Sequence, residues 1–123
     1  MENYIRGYRN PSATAWVPAA DIYENENHVV IFVDIAGVNP DQVKITLENR
    51  SILIIGERPT PSPGGLVRIH QMEIDAGYFK RRITLPCSVD FANSQSTYKN
   101  GVLRIDLPKK LKDEPIQIHI ESD

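Results

Sequence analysis

The sequence predicts an all-β fold, and three of its features carry that expectation. Nine prolines and seven glycines among 123 residues separate short apolar runs from one another, a spacing that suits strands and turns and leaves little room for helices. Within several runs apolar residues alternate with polar ones, most cleanly over 42–48, and a period of two is the repeat of a half-buried strand. Asn100-Gly101 stands between two extended segments; a type I′ hairpin turn needs positive φ at both central residues, and this pair tolerates it.

Taken in order, residues 1–15 are polar, with Tyr4, Ile5 and Tyr8 as their main apolar side chains; these are too few to build a core. A short strand is expected at 20–24. A longer one follows at 28–35, where Val29, Ile31, Val33 and Ile35 share one face while Val30 and Phe32 make the other face apolar too. A strand apolar on both sides belongs at the centre of a sheet, between that sheet's partner layer and a second cover. Gly37 and Asn39-Pro40-Asp41 supply turn chemistry. Residues 42–48 then place Val43, Ile45 and Leu47 on one side and Lys44, Thr46 and Glu48 on the other. A turn at 48–51 leads into Ile52-Leu53-Ile54-Ile55, an apolar run that Gly56 closes and that is expected deep in a sheet.

Pro59, Pro61 and Pro63 exclude a helix and favour an extended, projecting segment that Gly64 and Gly65 release, so this stretch reads as an arm. Leu66, Val67, Arg68, Ile69, His70 and Gln71 follow as a short strand. Over 78–85 Phe79, Arg81 and Ile83 stand opposite Tyr78, Lys80, Arg82 and Leu85, a mixed pattern that Pro86 stops; 87–92 is a loop. A strand over 94–99 enters the Asn-Gly hairpin. If the loop is only Asn100 and Gly101, Lys99 faces Val102, Tyr98 faces Leu103 and Ser96 faces Ile105, which puts Ser96, Tyr98, Leu103 and Ile105 on one buried face. Leu103, Ile105 and Leu107 alternate with Arg104 and Asp106 until Pro108, which has no N–H to donate, ends the ladder. Residues 109–115 are charged and predict a tether. Beyond it Ile116, Ile118 and Ile120 alternate with Gln117 and His119, and a lone apolar strand on a tether needs an edge or a groove, in its own domain or in a neighbour.

Composition narrows the function. With 14 basic and 16 acidic residues the net charge is -2, too near balance to call for a nucleic-acid partner or a membrane surface. The pairs Arg81-Arg82 and Lys109-Lys110 are short enough to be solvated faces. One cysteine, Cys87, excludes an internal disulfide, and no apolar segment reads as a leader or a span, so a reducing, cytoplasmic setting is expected. His28, His70 and His119 form no metal-ligand spacing, and there is no nucleophile elbow or glycine-rich phosphate loop. Neither catalysis nor a cofactor or metal is expected, and Cys87 reads as a small structural thiol.

The Asn100-Gly101-Val102-Leu103-x-Ile105-x-Leu107-Pro108-Lys109 stretch resembles the signature near the end of the alpha-crystallin domain of small heat-shock proteins, of the bacterial and plant type. Trp16-Val17-Pro18, Asp21-Ile22-Tyr23-Glu24, Asp34-Ile35-Ala36-Gly37-Val38, Gly56-Glu57-Arg58, Gly77-Tyr78-Phe79 and Leu85-Pro86 fall in that family's order. The resemblance departs from the pattern at Ala36, where the family usually has proline, at Ile74, where a Glu-Arg pair is common, and in a short N-terminal arm. It implies an immunoglobulin-like antiparallel β-sandwich over 16–109, an arm over 1–15, and a tether with an I-x-I tail over 110–123. Within the domain, 59–72 would form the proline-rich loop and the strand Leu66, Val67, Arg68, Ile69 and His70 that crosses to a neighbouring subunit; folding back on its own sheet is the other reading of that loop. The tail motif is Ile116 and Ile118, or Ile118 and Ile120 in the other register. Its groove would run between the 42–48 and 94–99 strands, lined by Val43, Ile45, Leu47, Ser96 and Tyr98. The implied function is that of a holdase chaperone needing no nucleotide, a homodimer assembled further through its tail, with partly unfolded proteins as partners. A co-chaperone of the p twenty-three type and a scaffold module on the same sandwich are the alternatives.

Overall fold

The computed structural model describes residues 16–65, 68–111 and 120. It contains β1 (Ala20–Glu24), β2 (His28–Asp34), β3 (Lys44–Glu48), β4 (Ser51–Arg58), β5 (Gly77–Thr84), β6 (Gln95–Lys99) and β7 (Val102–Pro108), with 3₁₀ turns at Pro40–Gln42 and Phe91–Asn93. Two antiparallel sheets result, one ordered β1-β2-β7-β6 and the other β3-β4-β5. The expected all-β sandwich is the fold.

The alternation decides which faces meet. Val29, Ile31 and Val33 of β2 stand in register with Leu107, Ile105 and Leu103 of β7, and all six are buried. Facing them from the other sheet are Ile52 and Ile54 of β4 and Phe79 and Ile83 of β5, closed at the ends by Trp16, Ile35, Val38, Leu85 and Val89. Burying each such side chain contributes about 1.5 to 3 kcal/mol relative to leaving it in water. No polar or charged residue is buried among the described residues, so the contact between the layers is hydrophobic.

β2 lies between β1 and β7, the central place expected of it. Its second apolar face is covered from within the same sheet. The Tyr23 and Phe32 rings meet edge to face at 5.8 Å, and the Arg104 guanidinium lies 5.5 Å from the Phe32 ring centre while pairing with Asp106 at 2.8 Å. Neighbouring side chains thus do the work of a third layer.

Four details differ from expectation. Residues 40–42 form a 3₁₀ turn capped by Asn39, whose side-chain oxygen accepts from the Asp41 N–H, so β3 starts at Lys44. Gly56 does not close β4, which runs on to Arg58; a Cβ there would lie 2.6 Å from Phe79 Cζ, so the glycine makes room for a ring from the next strand. Leu85 is buried, just past the end of β5 and beyond its alternation. Ser96 is exposed although Leu103 and Ile105 on the same face are buried, because β6 is the last strand of its sheet and its first residues have no layer opposite them.

The Asn-Gly hairpin has the two-residue loop, with Asn100 at φ 54° and Gly101 at φ 80° and with Lys99↔Val102, Tyr98↔Leu103 and Ser96↔Ile105 in register. It is fixed to the segment leaving β2. The Ile35 N–H donates to the Gly101 carbonyl at 2.9 Å, the Tyr98 hydroxyl donates to the Ile35 carbonyl at 3.2 Å, and a Cβ at Gly101 would approach Ala36 Cβ to 2.8 Å. Gly101→Ala therefore combines a left-handed backbone with a clash, and it is expected to cost roughly 2 to 4 kcal/mol, read as a lowered midpoint in urea unfolding; an unchanged midpoint would contradict the tight docking of hairpin on crossover.

Candidate functional site: the sheet edges

An open sandwich has four edge strands, here β1, β3, β5 and β6, and each presents a row of N–H and C=O groups that need water or another strand. Their placement follows from the chain's entry. The Trp16 N–H donates to Tyr78 O at 3.1 Å and its carbonyl accepts from Lys80 N–H at 3.3 Å, a parallel bridge on the outer side of β5. Four residues later the chain is already in β1, with Ala19 O accepting from Asp34 N–H at 3.0 Å. A step that short puts the β5 and β1 edges on one flank of the sandwich and leaves β3 and β6 on the other.

On the first flank, Trp16 covers part of β5, but nothing described pairs with the outer edge of β1. Asp21, Ile22, Tyr23 and Glu24 are all exposed there. The arm over 59–76 leaves from β4 and returns to β5. Its described strand candidates Arg68, Ile69 and His70 are exposed and belong to no strand or bridge, while Leu66 and Val67 lie outside the described residues. The strand expected at 66–71 is therefore absent over 68–71. Its limbs run side by side at the base, where Thr60 and Pro61 share a cleft with Gln71, Met72, Glu73 and Ile74. Ile69 is 47% and Ile74 64% exposed.

On the second flank, Val43 and Ile45 are half-buried against the core and Leu47 is exposed. Across from them Tyr98 is half-buried and Ser96 exposed. Of the hairpin residues, Leu103 is core, while Asn100 and Val102 are exposed. Ile116 and Ile118 lie outside the described residues, and Ile120 is exposed.

The place where the chain leaves the sandwich carries contacts with no sequence signal. Lys109 forms an antiparallel bridge with Val89, its N–H donates to Asn27 O at 2.8 Å, and its ammonium pairs with Glu24 at 2.8 Å. The Lys110 N–H donates to Ser88 O at 3.0 Å. The sandwich so holds the chain up to Lys110, and Leu111 is 93% exposed. Cys87 is half-buried against the core. Among the described residues no three His, Cys, Asp or Glu side chains group as metal ligands, and no helix is long and apolar enough to cross a membrane.

Residues 21–121 match the Hsp20/alpha crystallin family. A probable 15 kDa heat shock protein of Leptospira interrogans is 34% identical over 120 residues, covering 89% of this chain and 91% of that one. Spore protein SP21 of Stigmatella aurantiaca is 32% identical over 108 residues and 88% of this chain, which spans 64% of that protein's length. Among solved structures, the small heat-shock protein of Xylella fastidiosa, described as having a distinct high order structure, superposes with a TM-score of 0.72 at 31% identity, over 89% of this chain and 100% of that one.

Exposed isoleucines on the arm should matter little to the isolated fold. Ile69→Asn and Ile74→Asn are expected to leave the unfolding free energy, measured by urea titration of dilute protein, within about 0.5 kcal/mol of the parent. A larger loss would mean that these side chains pack within their own chain.

Proposed function

The chain belongs to the Hsp20/alpha-crystallin family of small heat-shock chaperones, which are not enzymes, and from that membership and its open edges we propose that it is an ATP-independent holdase. Partly unfolded proteins expose apolar segments in extended form, and such segments aggregate by pairing with one another. A sandwich whose own edges are open can pair with them first. No hydrolysis is required, since lowering the free concentration of sticky chains suffices to slow aggregation.

The observation that carries this reading is the outer edge of β1, which no described residue pairs with, together with an arm whose described isoleucines lie in no sheet. In the proposed dimer each subunit lays the 66–70 segment of its arm along β1 of its partner, a twofold, self-complementary exchange. The tail assembles dimers further, Ile116 and Ile118 entering the β3/β6 flank of another subunit against Val43, Ile45, Leu47, Ser96 and Tyr98. Burying two isoleucines contributes roughly 3 to 6 kcal/mol before ordering costs, so one tail binds weakly. Tethering raises its local concentration, and many weak contacts give an assembly that exchanges subunits and uncovers its edges in turn. A cytoplasmic setting fits the single cysteine.

Two measurements test this. Light scattering of a heated client enzyme is expected to fall as the protein is added up to equimolar subunits; no suppression at that ratio would contradict the holdase reading. Ile116→Ala with Ile118→Ala is expected to reduce the mass seen by size-exclusion chromatography with light scattering to that of dimers. An unchanged mass with a lowered melting temperature would instead mean that the tail completes its own domain.

A further inference from the structure

The turn that sets the register of β6 against β7 is also a chemically labile pair. In Asn-Gly the glycine nitrogen can attack the asparagine side-chain carbonyl carbon, because the residue that carries that nitrogen has no Cβ to hinder the approach. The sequence holds one such pair, Asn100-Gly101. Asn100 is exposed to the water that the reaction consumes. What the fold adds is a guard.

Ring closure needs the Gly101 nitrogen beside Asn100 Cγ, and in a type I′ turn the peptide between them faces the other way. Turning that peptide over in place would make a type II′ turn, which takes glycine at its first central position. Asn100 occupies that position at φ 54°, where the turned-over conformation is left to glycine. Asn100 must therefore return to negative φ first, and that opens the two-residue loop. Opening is resisted on several sides. Lys99 is paired with Val102, the Gly101 carbonyl accepts from the Ile35 N–H at 2.9 Å, and the Tyr98 hydroxyl donates to the Ile35 carbonyl at 3.2 Å. Gly101 also lies so near Ala36 that a Cβ on it would come to 2.8 Å from Ala36 Cβ, so the loop cannot shift toward the crossover to make room.

We infer that Asn100 is a site of covalent modification, gated by the docking of its hairpin on Ile35 and Ala36. Once the hairpin opens, the Gly101 nitrogen bonds to Asn100 Cγ, and the side-chain amide nitrogen leaves as ammonia with the proton that the Gly101 nitrogen gives up. A cyclic imide remains. Water then adds to one of its two carbonyls and breaks that C–N bond, leaving aspartate or isoaspartate at position 100. Aspartate keeps the main chain as it was, and Asp-Gly is itself a type I′ pair, so the turn survives it. Isoaspartate routes the main chain through its own methylene, and the extra backbone atom does not fit a two-residue loop with Lys99↔Val102 and Tyr98↔Leu103 in register. Conversion thus turns a transient opening into a permanent undocking of β6 from the exit of β2.

The full chain, incubated folded and in unfolding urea at one temperature and pH, tests this when peptides containing residue 100 are separated into asparaginyl, aspartyl and isoaspartyl forms and weighed. Conversion is expected to be at least about tenfold slower in the folded chain, since slow chemistry through transient opening tracks the open population. Tyr98→Phe keeps the ring but loses the hydrogen bond to Ile35; it is expected to raise the folded rate about threefold to tenfold and to leave the rate in urea unchanged. Asn49 stands at φ 56° in the two-residue loop between β3 and β4 but precedes Arg50, and it is expected to stay intact as an internal reference. In the isoaspartyl fraction, separated chromatographically, the Ile35 amide is expected to lose its protection from hydrogen exchange, whereas Asn100→Asp keeps it. A folded rate within about twofold of the rate in urea, or one that Tyr98→Phe leaves unchanged, overturns the gating. No conversion of Asn100 in urea overturns the site itself, and an Ile35 amide equally protected in the isoaspartyl fraction overturns the undocking.

Discussion

Everything distinctive here follows from the unclosed backbone hydrogen bonding at the rims of two small sheets. The inward faces are apolar: fifteen buried hydrophobic residues form one cluster, and no polar or charged residue among the described residues is buried with them. The rims have no such solution among the described residues. A barrel would join them, whereas this sandwich ends in β1, β3, β5 and β6, and among the described residues Trp16 bridges to β5 alone of these edges. Rigid interior and open margin are two consequences of the same short strands.

That division lets the fold offer its edges without losing its shape. The hairpin is locked onto the β2 exit through Ile35 and Gly101, and the chain's departure is locked by Lys109 through Val89, Asn27 and Glu24. Between these anchors, the parts proposed to meet partners are the outer edge of β1, the arm and the β3/β6 flank. Interaction is what such exposed strand surface suits, since an open edge can take up another strand.

Most of the fold was legible in the sequence because period-two alternation and turn chemistry act locally. The double apolar face of β2 announced a central strand, and Asn100-Gly101 set the register of β6 against β7. What escaped was decided by contacts distant along the chain. Gly56 looks like a terminator until the Phe79 ring, from the neighbouring strand, is seen to occupy the space of its missing side chain. Ser96 obeys the alternation yet stays exposed, since alternation says which face a residue takes and not whether a second layer reaches that far. The cover over Phe32 comes from Tyr23 and Arg104, residues that periodicity marks only as surface. Of the candidate site, the edge strands could be read from pattern, whereas the part played by Trp16 and Lys109 could not, because neither a bridge to β5 nor one to Val89 leaves a local trace.

The central claim is that the margins of this sandwich are completed by other chains. Amide hydrogen exchange, measured residue by residue at high and at low protein concentration, tests it most directly. The account predicts that the outward amides of β1 and those of 68–70 gain protection together as concentration rises, while the β2 and β7 amides stay equally protected throughout. Protection of β1 and 68–70 that is the same at both concentrations would contradict it.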